Sequence, residues 1–270
     1  MKPRAKDELK RLDVRPSKKR GQNFTIDSSV IDSIIGFAGS VEAGASIVEI
    51  GPGLGALTER LLGLSADVAV IEIEPAFAAD LQARFPQLKV YEGDARSFDL
   101  ASLGKRLVVF GNLPYVFSTD IIFHLLEHRS VCAEAILLLQ REFVERLAAP
   151  PGGRDYGSIS VAVQQWSDVV IGPIVPGNSF HPPTKVESAV VRLRFRSTPR
   201  AEVRDAKWFE RVVCAAFHQR RKTLLNSLGS LGNRDRVAIS SALAASGIDP
   251  MRRAETLSIE EFAKLAEALA

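Results

Sequence analysis

Asn112-Leu113-Pro114-Tyr115 places a side-chain amide, a backbone carbonyl and an aromatic ring within four consecutive residues. These groups suit alkylation of an exocyclic amine on a purine. The lone pair of such an amine is delocalised into the ring, and acceptors that hold both its hydrogens favour a tetrahedral nitrogen with a localised pair. The Asn112 oxygen and a carbonyl near Leu113 are the candidate acceptors, and Pro114 stiffens the turn that aims that carbonyl. The Tyr115 ring offers a stacking face worth about 1–3 kcal/mol per base. That face also favours positive charge passing to the nitrogen. No histidine or cysteine base is required, because the protonated amine is acidic enough to lose its proton to water. Asn-x-Pro alone also suits an ordinary strand-to-helix turn, so what lies upstream decides between the readings.

Upstream, Ile47-Val48-Glu49-Ile50-Gly51-Pro52-Gly53-Leu54-Gly55 reads as a buried strand, a glycine loop and the start of a helix. Glycines permit positive φ and close approach of the backbone to a ligand. Such loops serve nicotinamide dinucleotides as well as S-adenosylmethionine. Two details favour S-adenosylmethionine: the spacing is G-x-G-x-G, and Glu49 precedes the loop on the strand. A dinucleotide site wants its helix N-terminus free for a pyrophosphate, whereas a sulfonium and an ammonium welcome nearby carboxylates. Glu72 lies 21 residues beyond Gly51, where a carboxylate takes ribose hydroxyls, and Asp94 follows the next strand, within reach of an adenine amino group. Each acid alone suits a solvated loop; together, at successive strand tips, they mark one crevice.

These residues need a sheet to hold them. Short apolar runs at Ser46–Ile50, Val68–Ile71, Leu88–Tyr91, Leu107–Phe110 and Ala135–Leu139 alternate with helical patterns near 55–63, 75–84, 118–127 and 140–148. Pro75 suits a first helical turn and Ser118 an N-cap. A further helix is expected from Ile26 to Ala38. This alternation predicts an α/β fold with a mostly parallel, Rossmann-like sheet. A helix at 158–166 and strands at Val169–Val175 and Ala189–Phe195 follow. From about Asp205 the pattern is helical throughout, with turns at Gly229–Asn233 and Gly247–Pro250. The expected domains are a flexible basic arm at 1–20, a catalytic domain at 21–200 and a small all-helical domain at 201–270.

The chain has 270 residues, 46% of them hydrophobic, enough for a large domain and a small one. No apolar run approaches the ~18 residues of a membrane span, and the opening is too polar for a signal peptide. Cys132 and Cys214 match neither a metal site nor a disulfide framework and read as small core residues in a reducing cytoplasm. His124 and His128 have the spacing of a zinc pair, but Leu125 stands where metal hydrolysis requires glutamate. No metal is expected.

Net charge is +3 but uneven: residues 1–20 carry nine Lys or Arg against three acids, and residues 192–222 carry ten against three. Two basic patches on an otherwise acidic chain suggest a polyanionic partner. Arg220, Arg221 and Lys222 are candidate phosphate contacts, although a solvated helix face has the same composition.

With these motifs in view, the chain resembles the ribosomal RNA adenine dimethyltransferases, most closely their small-subunit branch. The resemblance runs from about Lys18 to the C-terminus. It rests on Gly21-Gln22-Asn23-Phe24, EIGPGLGALT, VIEIE, EGDA, FGNLPY, SFHPPTKVESAVVRL and a helical QRRKTLLNSL beginning at Gln219. It implies that Asn23 and Thr25 reach the cofactor together with Gly51, Gly53, Glu72, Asp94 and Asn112. It implies that Phe180 closes on the target base opposite Tyr115, whereas the residues alone favour a buried anchor for the SFHPPTK loop. It implies two methyl transfers to each of two adjacent adenosines near the 3′ end of small-subunit rRNA, on free RNA or an assembling 30S-type particle. A cytoplasmic monomer with no membrane contact is expected. The large-subunit dimethylases that confer antibiotic resistance share the cofactor and tetrad; the YGSISVAVQQ and QRRKTLLNSL segments favour the small-subunit branch. A non-catalytic RNA-binding assembly factor and a nicotinamide oxidoreductase are the other readings. The chain departs from the family at Thr25, usually hydrophobic, Val116, usually Asn, Thr184, usually Pro, and Arg20, usually aromatic.

Overall fold

The computed structural model describes residues 5–17, 21–25, 27–65, 67–232 and 234–270. In chain order the elements are α1 (Ala5–Arg11), β1 (Phe24–Thr25), α2 (Ser28–Ala38), β2 (Ser46–Ile50), α3 (Ala56–Leu61), β3 (Val68–Glu72), α4 (Pro75–Arg84) and β4 (Lys89–Glu92). Then come β5 (Leu107–Asn112), α5 (Ser118–Glu127), β6 (Cys132–Gln140), α6 (Arg141–Ala148), α7 (Ser158–Trp166), β7 (Ser167–Val175), β8 (Phe180–His181) and β9 (Ser188–Phe195). Four helices close the chain: α8 (Ala206–Phe217), α9 (Leu224–Ser227), α10 (Arg236–Ala245) and α11 (Ile259–Ala268).

Seven strands form one sheet in the order β4-β3-β2-β5-β6-β9-β7. Neighbours from β4 to β6 are parallel, and β9 runs antiparallel to β6. This is the expected Rossmann-like α/β architecture. Ile47, Val48, Val70, Ile71, Val109 and Phe110 are all buried without alternation, as parallel strands covered on both faces must be. Ile50 pairs with both Ile71 and Gly111, and Glu72 pairs with Glu92. The glycine loop, Ile73, Gly93 and Leu113 therefore leave the sheet at one edge.

Two compact units result, one spanning residues up to Val144 together with Asp168–Phe195, the other Glu145–Ser167 with Arg196–Ala270. The second has its own core, in which Tyr156 and Val161 join Phe209, Val212, Leu224, Leu243 and Phe262. Side-chain caps start its helices: Asp205 accepts from the Trp208 amide, Asp235 from Ala238, and Ser258 with Glu261 forms a reciprocal box. Residues 145–167, assigned from sequence to the catalytic domain, thus pack with the helical unit. Among the described residues no helix is long and apolar enough to cross a membrane.

Several local expectations need correction. The segment expected to be a flexible arm contains α1, whose Leu9 is buried with Leu54 and Phe77, while Arg11 pairs with Asp80 at 2.7 Å. Residues 1–4 and 18–20 of that expectation, Arg20 among them, and the helix start at Ile26 lie outside the described residues. Within the described part α2 is capped by Asp27, which accepts from the Ser29 amide. Ser118 is the first residue of α5 rather than its cap, and its hydroxyl donates to the Pro114 carbonyl at 3.3 Å. Residues 218–222 form turns and a bend between α8 and α9, so Arg220, Arg221 and Lys222 do not share a helix face. Cys132 is buried as expected, but Cys214 is exposed on α8.

Candidate active site

The glycine loop begins where β2 stops. Gly51, Gly53 and Gly55 have φ of 65°, 53° and 76°, values that side chains with a Cβ avoid. A Cβ on Gly53 would stand 2.9 Å from the Phe24 ring, whereas one on Gly51 would project into open space. Phe24 meets Phe77 edge to face at 5.5 Å, so an aromatic pair packs over the middle of the loop.

Three carboxylates line the cleft beside this loop. Glu49 is buried, and the Thr58 hydroxyl donates to it at 2.6 Å. Burial pushes its carboxyl up to about 8, with the Thr58 bond opposing and the nearby Glu72 charge adding. Glu72, at the end of β3, accepts from the Gly53 amide at 3.0 Å and from the Glu74 amide at 2.8 Å. Burial raises its carboxyl too, against those backbone bonds. Asp94 is gripped by Arg96 through contacts of 2.5 to 3.1 Å, and that bond holds its carboxyl below the usual range. The Arg96 guanidinium also lies 4.3 Å over the Phe117 ring.

These residues fit S-adenosylmethionine better than a dinucleotide. The Gly53 amide, which a pyrophosphate would need, is already given to the Glu72 carboxylate. The open space beside Gly51 admits a ligand, and the Glu49 carboxyl, raised by burial, stands beside it as a hydrogen-bonding group. Each Glu72 oxygen keeps a lone pair for a hydroxyl. Asn23, Thr25, Gly51, Gly53, Glu72, Asp94 and Asn112 all line the same cleft.

At the far side, Asn112 is the last residue of β5, opposite Leu138 of β6. Its Nδ2 donates to the Asn23 carbonyl and to the Thr25 hydroxyl, each at 3.1 Å. A carbonyl only accepts, so the atom facing Asn23 is the nitrogen and Oδ1 points the other way. Leu113 buries its side chain and donates its amide to Leu138. Pro114 has φ −58° and ψ 131°; its carbonyl accepts from Phe117 and Ser118 and so launches α5. The Tyr115 phenol lies 2.7 Å from the Ser188 hydroxyl.

The other expected residues fall elsewhere. Phe180 is only 2% exposed, belongs to the core of the sheet unit and does not line the cleft. It is a buried anchor: β8 pairs with β1, setting Phe180 opposite Thr25 and His181 opposite Phe24. Arg220 donates to the Arg154 and Tyr156 carbonyls, which ties it within the helical unit; Arg221 and Lys222 are exposed. His124 Nε2 is bonded to the Phe98 carbonyl at 2.8 Å, and no group of three or more metal-ligating side chains occurs among the described residues. Of the departures, Val116 is 62% exposed beside Gly21. Thr184 donates its amide to Gly177, a bond proline lacks.

Sequence reasoning missed Arg96, Ser188 and Thr58. Arg96 had a signal, since an Asp two residues before an Arg closes a turn onto it. Thr58 and Ser188 both lie within the quoted motifs, but their types alone do not name their partners: Thr58 reaches Glu49 across the turn from β2 to α3, and Ser188 reaches Tyr115 only through the fold.

The chain matches the family model described as ribosomal RNA adenine dimethylase over residues 15–270. It is 46% identical over 259 residues to ribosomal RNA small subunit methyltransferase A of Syntrophotalea carbinolica, covering 94% of this chain and 97% of that one. It is 45% identical over 263 residues to the protein of that name from Pseudomonas aeruginosa, covering 95% of each. Among solved structures it resembles a dimethyladenosine transferase from Plasmodium falciparum, with a TM-score of 0.75, 27% identity and coverage of 90% and 95%. It also resembles the 23S rRNA methyltransferase ErmE, with a TM-score of 0.69, 25% identity and coverage of 91% and 99%. An Asn-Leu-Pro-Tyr turn beside an acid-lined glycine loop, a full-length sheet and these likenesses agree: the chain belongs to the ribosomal RNA adenine dimethylase family.

Proposed function

We propose that this chain methylates the 6-amino groups of two adjacent adenosines near the 3′ end of small-subunit rRNA, twice each, using S-adenosylmethionine. The observation that carries the chemistry is the Asn112 amide, whose nitrogen is bonded to Asn23 and Thr25 so that Oδ1 is left to accept. Two relatives sharing 46% and 45% identity, both named for the small subunit, support that choice of RNA.

When bound, S-adenosylmethionine supplies a methyl group made electrophilic by the sulfonium. Asn23, Thr25, Gly51, Gly53, Glu72, Asp94 and Asn112 would hold it: Glu72 would take ribose hydroxyls, and Asp94, oriented by Arg96, would take the adenine amine. Asn112 Oδ1 and the Leu113 carbonyl accept the hydrogens of the target amine, which localises its lone pair. Tyr115, tethered at Ser188, stacks on the base. The nitrogen–carbon bond forms as the sulfur–methyl bond breaks to leave a neutral thioether; the methylated nitrogen passes one proton to water, and a fresh methyl donor must replace the spent one before the second transfer.

Arg221 and Lys222 contact RNA phosphates, the helical unit of Glu145–Ser167 with Arg196–Ala270 serves RNA binding, and Arg220 supports the turn that presents them. The enzyme acts as a cytoplasmic monomer on RNA or on an assembling 30S-type particle, with no membrane or metal involved. Tritiated methyl transfer onto immature small subunits lacking the modification tests the proposal. Incorporation into adenosines of small subunits and not of large ones is expected; equal labelling of large subunits, or none at all, overturns it.

A further inference from the structure

We infer that Thr25 is a positioning residue for methyl transfer, the second anchor that orients the catalytic Asn112 amide. This rests on the functional reading above and adds a residue to it. The Asn112 Nδ2 carries two hydrogens, and the structure provides one acceptor for each: the Asn23 carbonyl and the Thr25 hydroxyl, both at 3.1 Å. With both hydrogens engaged the amide plane has one orientation. Hydrogen bonds donated by the nitrogen also polarise the amide, so Oδ1 becomes a stronger acceptor for the target amine. The geometry is set from beyond the cleft, because the Thr25 backbone is paired with Phe180 across β1 and β8. The buried Phe180 ring thus holds the strand that holds Thr25, which holds Asn112. A hydrophobic residue at 25 offers no acceptor, and one amide hydrogen would then be left to the cleft.

The test compares Thr25→Val, which keeps the branched shape without the hydroxyl, with Thr25→Ser, which keeps the hydroxyl. Loss of one neutral hydrogen bond predicts a fall in kcat of about three- to tenfold in T25V, with KM for RNA unchanged. T25S restores most of that loss. The Asn112 side-chain NH2 resonances, assigned in 15N-labelled protein by their disappearance in Asn112→Ala, shift in T25V and exchange faster with water, while T25S resembles wild type. Cooperative thermal melting of T25V like that of wild type verifies that the variant is folded. A T25V kcat within twofold of wild type, unmoved amide resonances, or a T25S as impaired as T25V overturns the inference. Absence of activity in the wild type would instead overturn the functional reading, and the resonance comparison would still judge Thr25.

Discussion

Tyr115 and Ser188 stand hydroxyl to hydroxyl at 2.7 Å, joining the aromatic end of the tetrad to the first residue of the antiparallel strand β9. Ser188 is fully buried, so its hydroxyl has a fixed place in the sheet, and the phenol is held by the core rather than by the loop that carries it. Ser188→Ala and Tyr115→Phe should each lower kcat by about three- to tenfold. The double variant should be no worse than the weaker single one, because both remove the same bond. Additive losses in a double-mutant cycle would show that the two hydroxyls act separately.

Asn112→Ala removes the acceptor while leaving the acid-lined loop untouched. Transfer should fall by about 100- to 1000-fold, the range for deleting one preorganised electrostatic contact. S-adenosylmethionine affinity by calorimetry should change less than tenfold. Near-normal turnover would reject the acceptor role.

Glu49 makes stability depend on pH. Its folded value of about 8 lies above the ordinary 4.5, with burial as the main cause. The native chain therefore holds the proton more tightly than the unfolded chain. The contribution is full below pH 4.5 and is lost as pH rises through 8. Glu49→Gln keeps an acceptor for Thr58 and has no proton to lose. Thermal melting from pH 4.5 to 9 should show wild type losing stability relative to E49Q by an amount on the order of a few kcal/mol. Parallel curves would place the titration elsewhere.

The basic turn should divide by function. Neutralising Arg221 and Lys222 should flatten the slope of log affinity against log salt, by about 0.7 for each phosphate of single-stranded RNA that they neutralise. Arg220→Ala should instead lower the melting temperature, because its guanidinium bridges the Arg154 and Tyr156 carbonyls. An unchanged slope in R221A/K222A would move the RNA contact elsewhere.

Gly53 and Gly51 should respond differently to alanine. Both have positive φ, but only at Gly53 does the added carbon meet the Phe24 ring, at 2.9 Å. G53A should be the less stable of the two by thermal melting. G51A should lose more cofactor affinity, since its methyl enters the open cleft. The reverse ranking would mean that the loop moves away from Phe24.

What could be read from sequence was local. The glycine loop, the acids at strand tips and the Asn-Leu-Pro-Tyr turn are contiguous stretches whose residue types state their chemistry, and the strand–helix alternation ordered them correctly. What could not be read was burial across the sheet. For Phe180 the family resemblance points to stacking while the residues alone favour a buried loop anchor, and the pairing of β8 with β1 sets it in the core. Arg220 looks equivalent to its neighbours until a loop 64 residues earlier takes its donors. The helix at Ala5–Arg11 did leave a trace: Ala5, Leu9 and Leu12 follow helical spacing and pack beside Leu54 and Phe77. The surrounding basic residues drew attention to charge instead.

The helical unit is written in two separated stretches, Glu145–Ser167 and Arg196–Ala270, with three strands of sheet unit between them. It is therefore no removable tail. A truncation at residue 200 would strip Tyr156 and Val161 of the aliphatic and aromatic surface they are buried against, and a graft from a relative would have to exchange both stretches together. Specificity carried by this unit must change by substitution within it, not by shuffling of a terminal module.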